Sequence, residues 1–147
     1  MNRDLLVSDI KREESCRLLA YPDPKSGGDP WTIGWGHTGP EVHAGLVWGQ
    51  AMADETLDLD IDHTCGHLDV ALPWWRSLDD IRANVLVKMA YQMGIGGLLG
   101  FKQMLAHVRA EEWDLAKAAG LDSTWARQTP ERAEREMTEL DTGVHQS

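Results

Sequence analysis

The chain has 147 residues, with 24 acidic against 14 basic side chains, a formal charge of −10 and two cysteines. A chain of this length buries about 68–70% of the surface it would expose unfolded, so it needs neither a metal nor a disulfide to hold it. The acidic balance argues against nucleic acid as a partner, two cysteines are too few for a disulfide framework, and no run reaches the roughly 18 apolar residues of a membrane span.

The opening MNRDLLVSDIKREES is charged throughout and lacks the apolar centre of a signal peptide, which predicts a chain that starts in the cytoplasm. Leu5, Leu6 and Ile10 form an apolar stripe and predict a helix over 3–14. Over 15–40, Pro22, Pro24, Gly27, Gly28 and Pro30 demand turns. TIGWGH then alternates as a strand does and predicts a small β-hairpin. QAMADETLDLDIDHT reads as a helix over 49–66 with a strongly acidic face, although DLDID taken alone also fits a strand. After Pro73, Ser77 is placed to cap a helix running to about Gln92. That helix is apolar on most sides and belongs at the centre of a larger lobe. Gly94, Gly96, Gly97 and Gly100 mark a loop. Helices are predicted at 101–109 and 111–119, the second ended by Gly120, and a last one starts at Thr129-Pro130 and stops before Gly143.

Chemistry concentrates in the opening stretch. Glu14 stands at the end of the first helix, where the partial negative charge of the helix terminus and the neighbouring Glu13 favour its protonated form. A carboxyl group that keeps its proton can act as a general acid. Asp23 follows on a turning, polar segment and should stay ionised. Two carboxyl groups held in opposite protonation states form the pattern that splits glycosidic bonds. Thr32 opens the returning strand, where its hydroxyl could help hold water. The competing reading is a solvated helix end followed by an ordinary aspartate turn.

The pattern E-x8-D, a turn and T-I-G-x-G-H resembles the phage-type lysozymes, the endolysins of glycoside hydrolase family 24. LLAYPDPKSGGDPWTIGWGHTG is similar to that family nearly residue for residue. NVLVKMAYQMGIGGLLGFKQML and EEWDLAKAAGLDSTWARQTPERAEREMTELDTG resemble its carboxy-terminal lobe. The resemblance implies a mainly α, α+β, two-lobed fold: a β-containing lobe at about 15–48, a connecting helix at 49–66, and a helical lobe at 67–147 on which the helix at 3–14 packs. It implies hydrolysis, with inversion, of the β-1,4 bond from N-acetylmuramic acid to N-acetylglucosamine in peptidoglycan. Glu14 would be the general acid, Asp23 the second carboxylate and Thr32 the residue near the attacking water. Gln92 and Trp125 resemble a pair that meets at the back of the family's cleft. Arg132 resembles the arginine that approaches the glutamate, and Arg135 could pair with Glu13. No cofactor is implied. A monomer, held in the host cytoplasm until a holin opens the membrane and then acting on the wall in the periplasm, follows by the same resemblance. Two alternatives stand beside it: a lytic transglycosylase on the same substrate, and a catalytically silent wall-binding module.

The sequence also departs from the family. Eight residues, PKSGGDPW, separate Asp23 from Thr32, a longer spacing than usual, and they bring in Asp29 as a rival carboxylate. Ser15 replaces a customary glycine. The loop before the acidic helix is short, and the acidic charge is unusual for an enzyme that meets an anionic wall.

The remaining candidates read mostly as structural. His37 could be a second base, but a structural role is preferred, with Asp60 of the acidic helix as a candidate partner; if so paired, it should titrate above the usual ~6.5. His63, Cys65 and His67 are residue types that ligate zinc, but alternate positions do not share a helix face and no second cluster completes four ligands. Asp58, Asp60 and Asp62 copy the start of a calcium loop without its glycine or closing glutamate. No metal site is expected. Trp74, Trp75, Trp113 and Trp125 are read as mainly core residues, and Trp31 and Trp35 as candidates for the cleft rim. Cys16 is expected to be a buried, inert thiol.

Overall fold

A computed structural model describes residues 1–147. It is α+β and mainly α, as expected: seven α-helices and one three-stranded antiparallel sheet. The chain divides into two compact units, Asp4–His63 and Met1–Arg3 with Thr64–Ser147.

In the unit at Asp4–His63, α1 (Arg3–Glu13) buries Leu6 and Ile10, the stripe seen in the sequence. The Glu14 N–H still bonds the Ile10 carbonyl at 2.8 Å, so Glu14 sits one residue past the last helical position. The sheet is built from β1 (Arg17–Tyr21), β2 (Thr32–Gly34) and β3 (His37–Thr38). Arg17 pairs with Gly34 and Tyr21 with Thr32, so five residues of β1 oppose three of β2 and the strand bulges between them. The second edge of β1 is covered by residues 46–48: the Ala20 N–H donates to the Leu46 carbonyl at 2.9 Å and the Trp48 N–H to the Leu18 carbonyl at 2.8 Å. The sheet core is Ala20, Ile33 and Val42, with Trp31, Leu46 and Trp48 packed against it. Gly34 has φ +66 and lies against the Trp48 ring, so a side chain there would meet both strain and contact.

The acidic segment folds as α2 (Gln50–Ala71), longer at its end than the 49–66 read from sequence, because Gly66 does not stop it. The helix reading of DLDID holds.

In the second unit, a 3₁₀ turn at Trp75–Ser77 precedes α3 (Asp80–Leu99). The cap of α3 is Asp79, whose carboxylate accepts the Arg82 N–H at 3.1 Å; Ser77, the expected cap, instead donates to the Trp74 carbonyl. Residues 83–90 are buried without a break, so α3 lies at the centre of this unit as its apolar composition predicts. The expected glycine loop is a break at Gly94 (φ 78), after which the helix resumes to Leu99. Then come α4 (Lys102–Arg109), α5 (Trp113–Leu121), a short α6 (Thr124–Gln128) that periodicity did not signal, and α7 (Pro130–Thr142). Pro130 takes the first position of α7 and Gly143 closes it at φ 71. Thr129 precedes α7 without a side-chain cap; its hydroxyl bonds the Trp125 carbonyl.

Two charged groups organise this unit. Arg82 donates to the Leu140 and Asp141 carbonyls at 2.7 and 2.6 Å and stacks on Trp113 at 3.9 Å, which satisfies the open end of α7 from α3. Lys88 meets Glu139 at 2.6 Å with both side chains almost fully buried. Removing one member of such a pair leaves the other charge in a medium that solvates it poorly. Lys88→Met is therefore expected to lower stability by about 3–5 kcal/mol in urea unfolding at neutral pH.

Candidate active site

The three residues assigned by resemblance lie in the unit at Asp4–His63, on elements that follow one another directly. Glu14 is half-buried at the end of α1, three residues before β1 begins. Asp23 lies two residues past the end of β1, and Thr32, the first residue of β2, pairs with Tyr21. Asp23 and Thr32 therefore share one end of the hairpin.

The long turn between them closes on Asp23 itself. The Asp23 N–H donates to the Gly28 carbonyl at 2.9 Å and the Gly27 N–H returns a bond to the Asp23 carbonyl at 2.8 Å. The Ser26 N–H donates to Asp23 Oδ2 at 3.2 Å, an Asx-type turn. The Ser26 hydroxyl donates to the Asp29 carbonyl at 2.7 Å and accepts from the Gly28 N–H. The extra residues are thus held within the loop. Asp23 is half-buried, whereas Asp29 is exposed.

His37 meets Asp60 as expected, Nδ1 to Oδ2 at 2.7 Å, and it has a second partner, Glu41, at 2.6 Å from Nε2. The Asp60 hydrogen bond, aided by Glu41 and opposed by partial burial, raises the imidazole to a pKa of about 9. The same contact holds the exposed Glu41 carboxyl below its usual range. A histidine charged across the neutral range and gripped at both nitrogens cannot accept a proton there, which supports a structural role.

Trp35 is drawn into a similar tie. Its indole N–H donates to Asp54 Oδ1 at 2.8 Å, Gln50 donates to the same oxygen at 3.0 Å, and Lys11 approaches it at 3.4 Å while lying over the Trp35 ring. Trp35, then Gln50 and Lys11, hold the Asp54 carboxyl below its ordinary value. Gln50 also reaches the Cys16 sulfur at 3.7 Å, and Cys16 is half-buried rather than fully buried as expected. Sequence reading missed both Asp54 and Glu41. The spacing His37-x3-Glu41 was a usable signal for one of them; nothing local pointed to the other.

In the second unit, the Trp125 indole N–H donates to Gln92 Oε1 at 2.8 Å, so the pair read from resemblance does meet. Arg132 is buried and bonds Glu136 at 3.1 Å, one turn along α7. Trp75 and Trp125 are buried, while Trp74 and Trp113 are only half-buried. Cys65 is buried on α2, with its thiol against the Met1 sulfur, whereas His63 and His67 are exposed, so the three do not converge.

The family model for phage lysozyme matches residues 11–138, which include Glu14, Asp23 and Thr32. The chain belongs to the phage lysozyme family. The pre-baseplate central spike protein Gp5 of Enterobacteria phage T4 is 41% identical over 164 aligned positions, covering 91% of this chain and 27% of that protein. Probable T4-type lysozyme 1 of Dictyostelium discoideum is 35% identical over 70 positions, covering 48% of this chain and 41% of that protein. The endolysin of Lactococcus phage c2 is 39% identical over 85 positions, covering 58% and 36%. The chain thus spans between about a quarter and two fifths of the length of these relatives.

A histidine whose folded pKa exceeds its unfolded value of ~6.5 adds stability that is complete below pH 6.5 and disappears as pH rises through about 9. Allowing for solvent screening at Glu41, the loss between pH 6 and pH 10 should be about 2 kcal/mol relative to His37→Asn. Urea titrations of both proteins across that range check it, and the His37 imidazole should itself titrate near 9 by NMR.

Proposed function

We propose that this chain hydrolyses the β-1,4 bond joining N-acetylmuramic acid to N-acetylglucosamine in bacterial peptidoglycan, with inversion at the anomeric carbon. One observation carries the reading: the phage lysozyme match includes Glu14, Asp23 and Thr32, and the longer turn closes on Asp23 without separating it from Thr32 along the hairpin. Glu14 protonates the leaving oxygen. Asp23, whose Oδ2 is taken by the Ser26 N–H, uses Oδ1 to orient a water and receive its proton. The Thr32 hydroxyl helps to hold that water, which attacks from the face opposite the leaving group. Inversion requires about 6.5–9.5 Å between the two carboxyl groups. No step needs a cofactor.

The relatives' names suggest two settings. As an endolysin, the protein would wait in the host cytoplasm until a holin opens the membrane, and then cut the wall from the periplasm. The Gp5 match, which takes in nearly the whole of this chain, favours a second setting in which the domain travels in the virion as part of a baseplate spike. Finding the polypeptide in purified particles by mass spectrometry would select the second.

The chemistry is tested on outer-membrane-stripped cells by turbidity. Wild type should clear the suspension, and Glu14→Gln should fold normally yet lose about 10²–10⁴-fold in rate; a fully active Glu14→Gln protein refutes the assignment. Asp23→Asn should lower kcat while Asp29→Asn leaves it unchanged, and the opposite result transfers the role to Asp29. Released fragments should carry reducing ends, since anhydro ends would mark a transglycosylase.

A further inference from the structure

The segment that carries Glu14 has no regular secondary structure of its own. α1 ends at Glu13 and β1 begins at Arg17, so Glu14, Ser15 and Cys16 form the connection. A proton donor works only where its carboxyl group is held in place, because a displacement of about 1 Å can cost about 10²-fold in rate. Side chains on both flanks of this connection lead to one residue of α2. Lys11, three residues before Glu14, brings its ammonium to 3.4 Å from Asp54 Oδ1. Cys16, two residues after Glu14, lies with its sulfur 3.7 Å from the Gln50 amide nitrogen, and the same nitrogen donates to Asp54 Oδ1 at 3.0 Å. From the β2–β3 turn, the Trp35 indole N–H donates to that oxygen at 2.8 Å. We propose that Asp54 is a positioning residue for the Glu14 carboxyl group, acting through Lys11 and Gln50 on the two flanks of the acid; the inference rests on the reading of Glu14 as the proton donor.

The geometry separates this role from a contribution to the fold. Three donors converge on one carboxylate oxygen, from α1, from the first residue of α2 and from the hairpin turn, so Oδ1 fixes all three relative to one point. Lys11 also lies over the Trp35 ring at 5.2 Å, which ties α1 to the turn directly. The stability gained is small. The Asp54 side chain is 42% exposed and that of Lys11 35%, and ion pairs so open to water contribute little. An interaction too weak to decide folding still decides a rate when it selects one position of the reacting group.

Another carboxylate of α2 provides the contrast. Asp69 accepts the Trp75 indole N–H and the Arg76 guanidinium, both at 2.7 Å, and is 45% exposed. Its partners are of the same kind as those of Asp54, an indole and a cation, but both follow α2 and neither adjoins Glu14.

The test compares Asp54→Ala with Asp69→Ala, each in the full chain. On peptidoglycan, Asp54→Ala should lower kcat about 10- to 100-fold with KM kept, the signature of a loss felt in the transition state. Asp69→Ala should keep kcat, while the urea midpoints of the two variants fall by similar small amounts. Asp54→Asn, whose amide oxygen still accepts from Trp35 and Gln50, should lose no more than Lys11→Met. Lys11→Met combined with Asp54→Ala should be no slower than Asp54→Ala alone, since Lys11 acts through Asp54. Independently of turnover, the ¹³C signal of the Glu14 carboxyl group, assigned with Glu14→Gln, should move in Asp54→Ala and stay in place in Asp69→Ala. Wild-type kcat in Asp54→Ala, equal losses in the two alanine variants, or an unmoved Glu14 signal overturns the positioning role even if the wall is cleaved normally. A wild-type protein that never clears the wall suspension removes the lytic reading, and the Glu14 signal then decides the positioning role by itself.

Discussion

Polar ties to α2 fasten the hairpin, whose own apolar cluster is small. Only Ala20, Ile33 and Val42 are buried in its sheet cluster. Directional polar ties to α2 add to this burial. His37 reaches Asp60 and Trp35 reaches Asp54, so both ends of the β2–β3 turn are fastened to one helix. Lys11 joins Asp54 from the last turn of α1. The segment carrying Glu14 and the hairpin following Asp23 are therefore positioned against the same acidic helix. The unusual acidity of α2 has a structural use: several of its carboxylates are anchor points.

A longer turn between Asp23 and Thr32 ought to move one away from the other. Loop closure entropy rises only slowly with length, so the added residues cost little if they do not pull on their ends. Here they do not, because the backbone of Asp23 forms both closing hydrogen bonds with Gly27 and Gly28. The extra chain is folded back before it reaches β2. The added length is thereby taken up within the turn, and Asp23 stays next to the start of the hairpin strand.

Much of this was legible in the sequence. The apolar stripe of α1, the all-round apolar α3, the Pro130 start and Gly143 end of α7, and the His37–Asp60 pair follow from period, turn chemistry and charge. The misses share a cause. Gly94 and its neighbours read as a loop because glycine disfavours helix, yet the break is confined to Gly94 and the helix resumes to Leu99, with only Leu98 buried beyond it. Ser77 reads as a cap as readily as Asp79 does, because capping rules rank residue types, whereas the position of the first free N–H is set by tertiary placement. The convergence on Asp54 joins three elements distant in sequence, and no local pattern encodes it.

The distribution of charge bears on how such a chain can approach a wall polymer. Residues 4–63 hold 12 of the 24 acidic side chains but only 4 of the 14 basic ones; the remainder of the chain is nearly balanced, with 12 against 10. Repulsion from an anionic polymer is thus concentrated on the hairpin unit. At physiological salt it is screened beyond about 8 Å, so it weakens long-range attraction more than contact. Part of the acidity is also neutralised internally, by His37 on Asp60 and Glu41 and by Lys11 on Asp54.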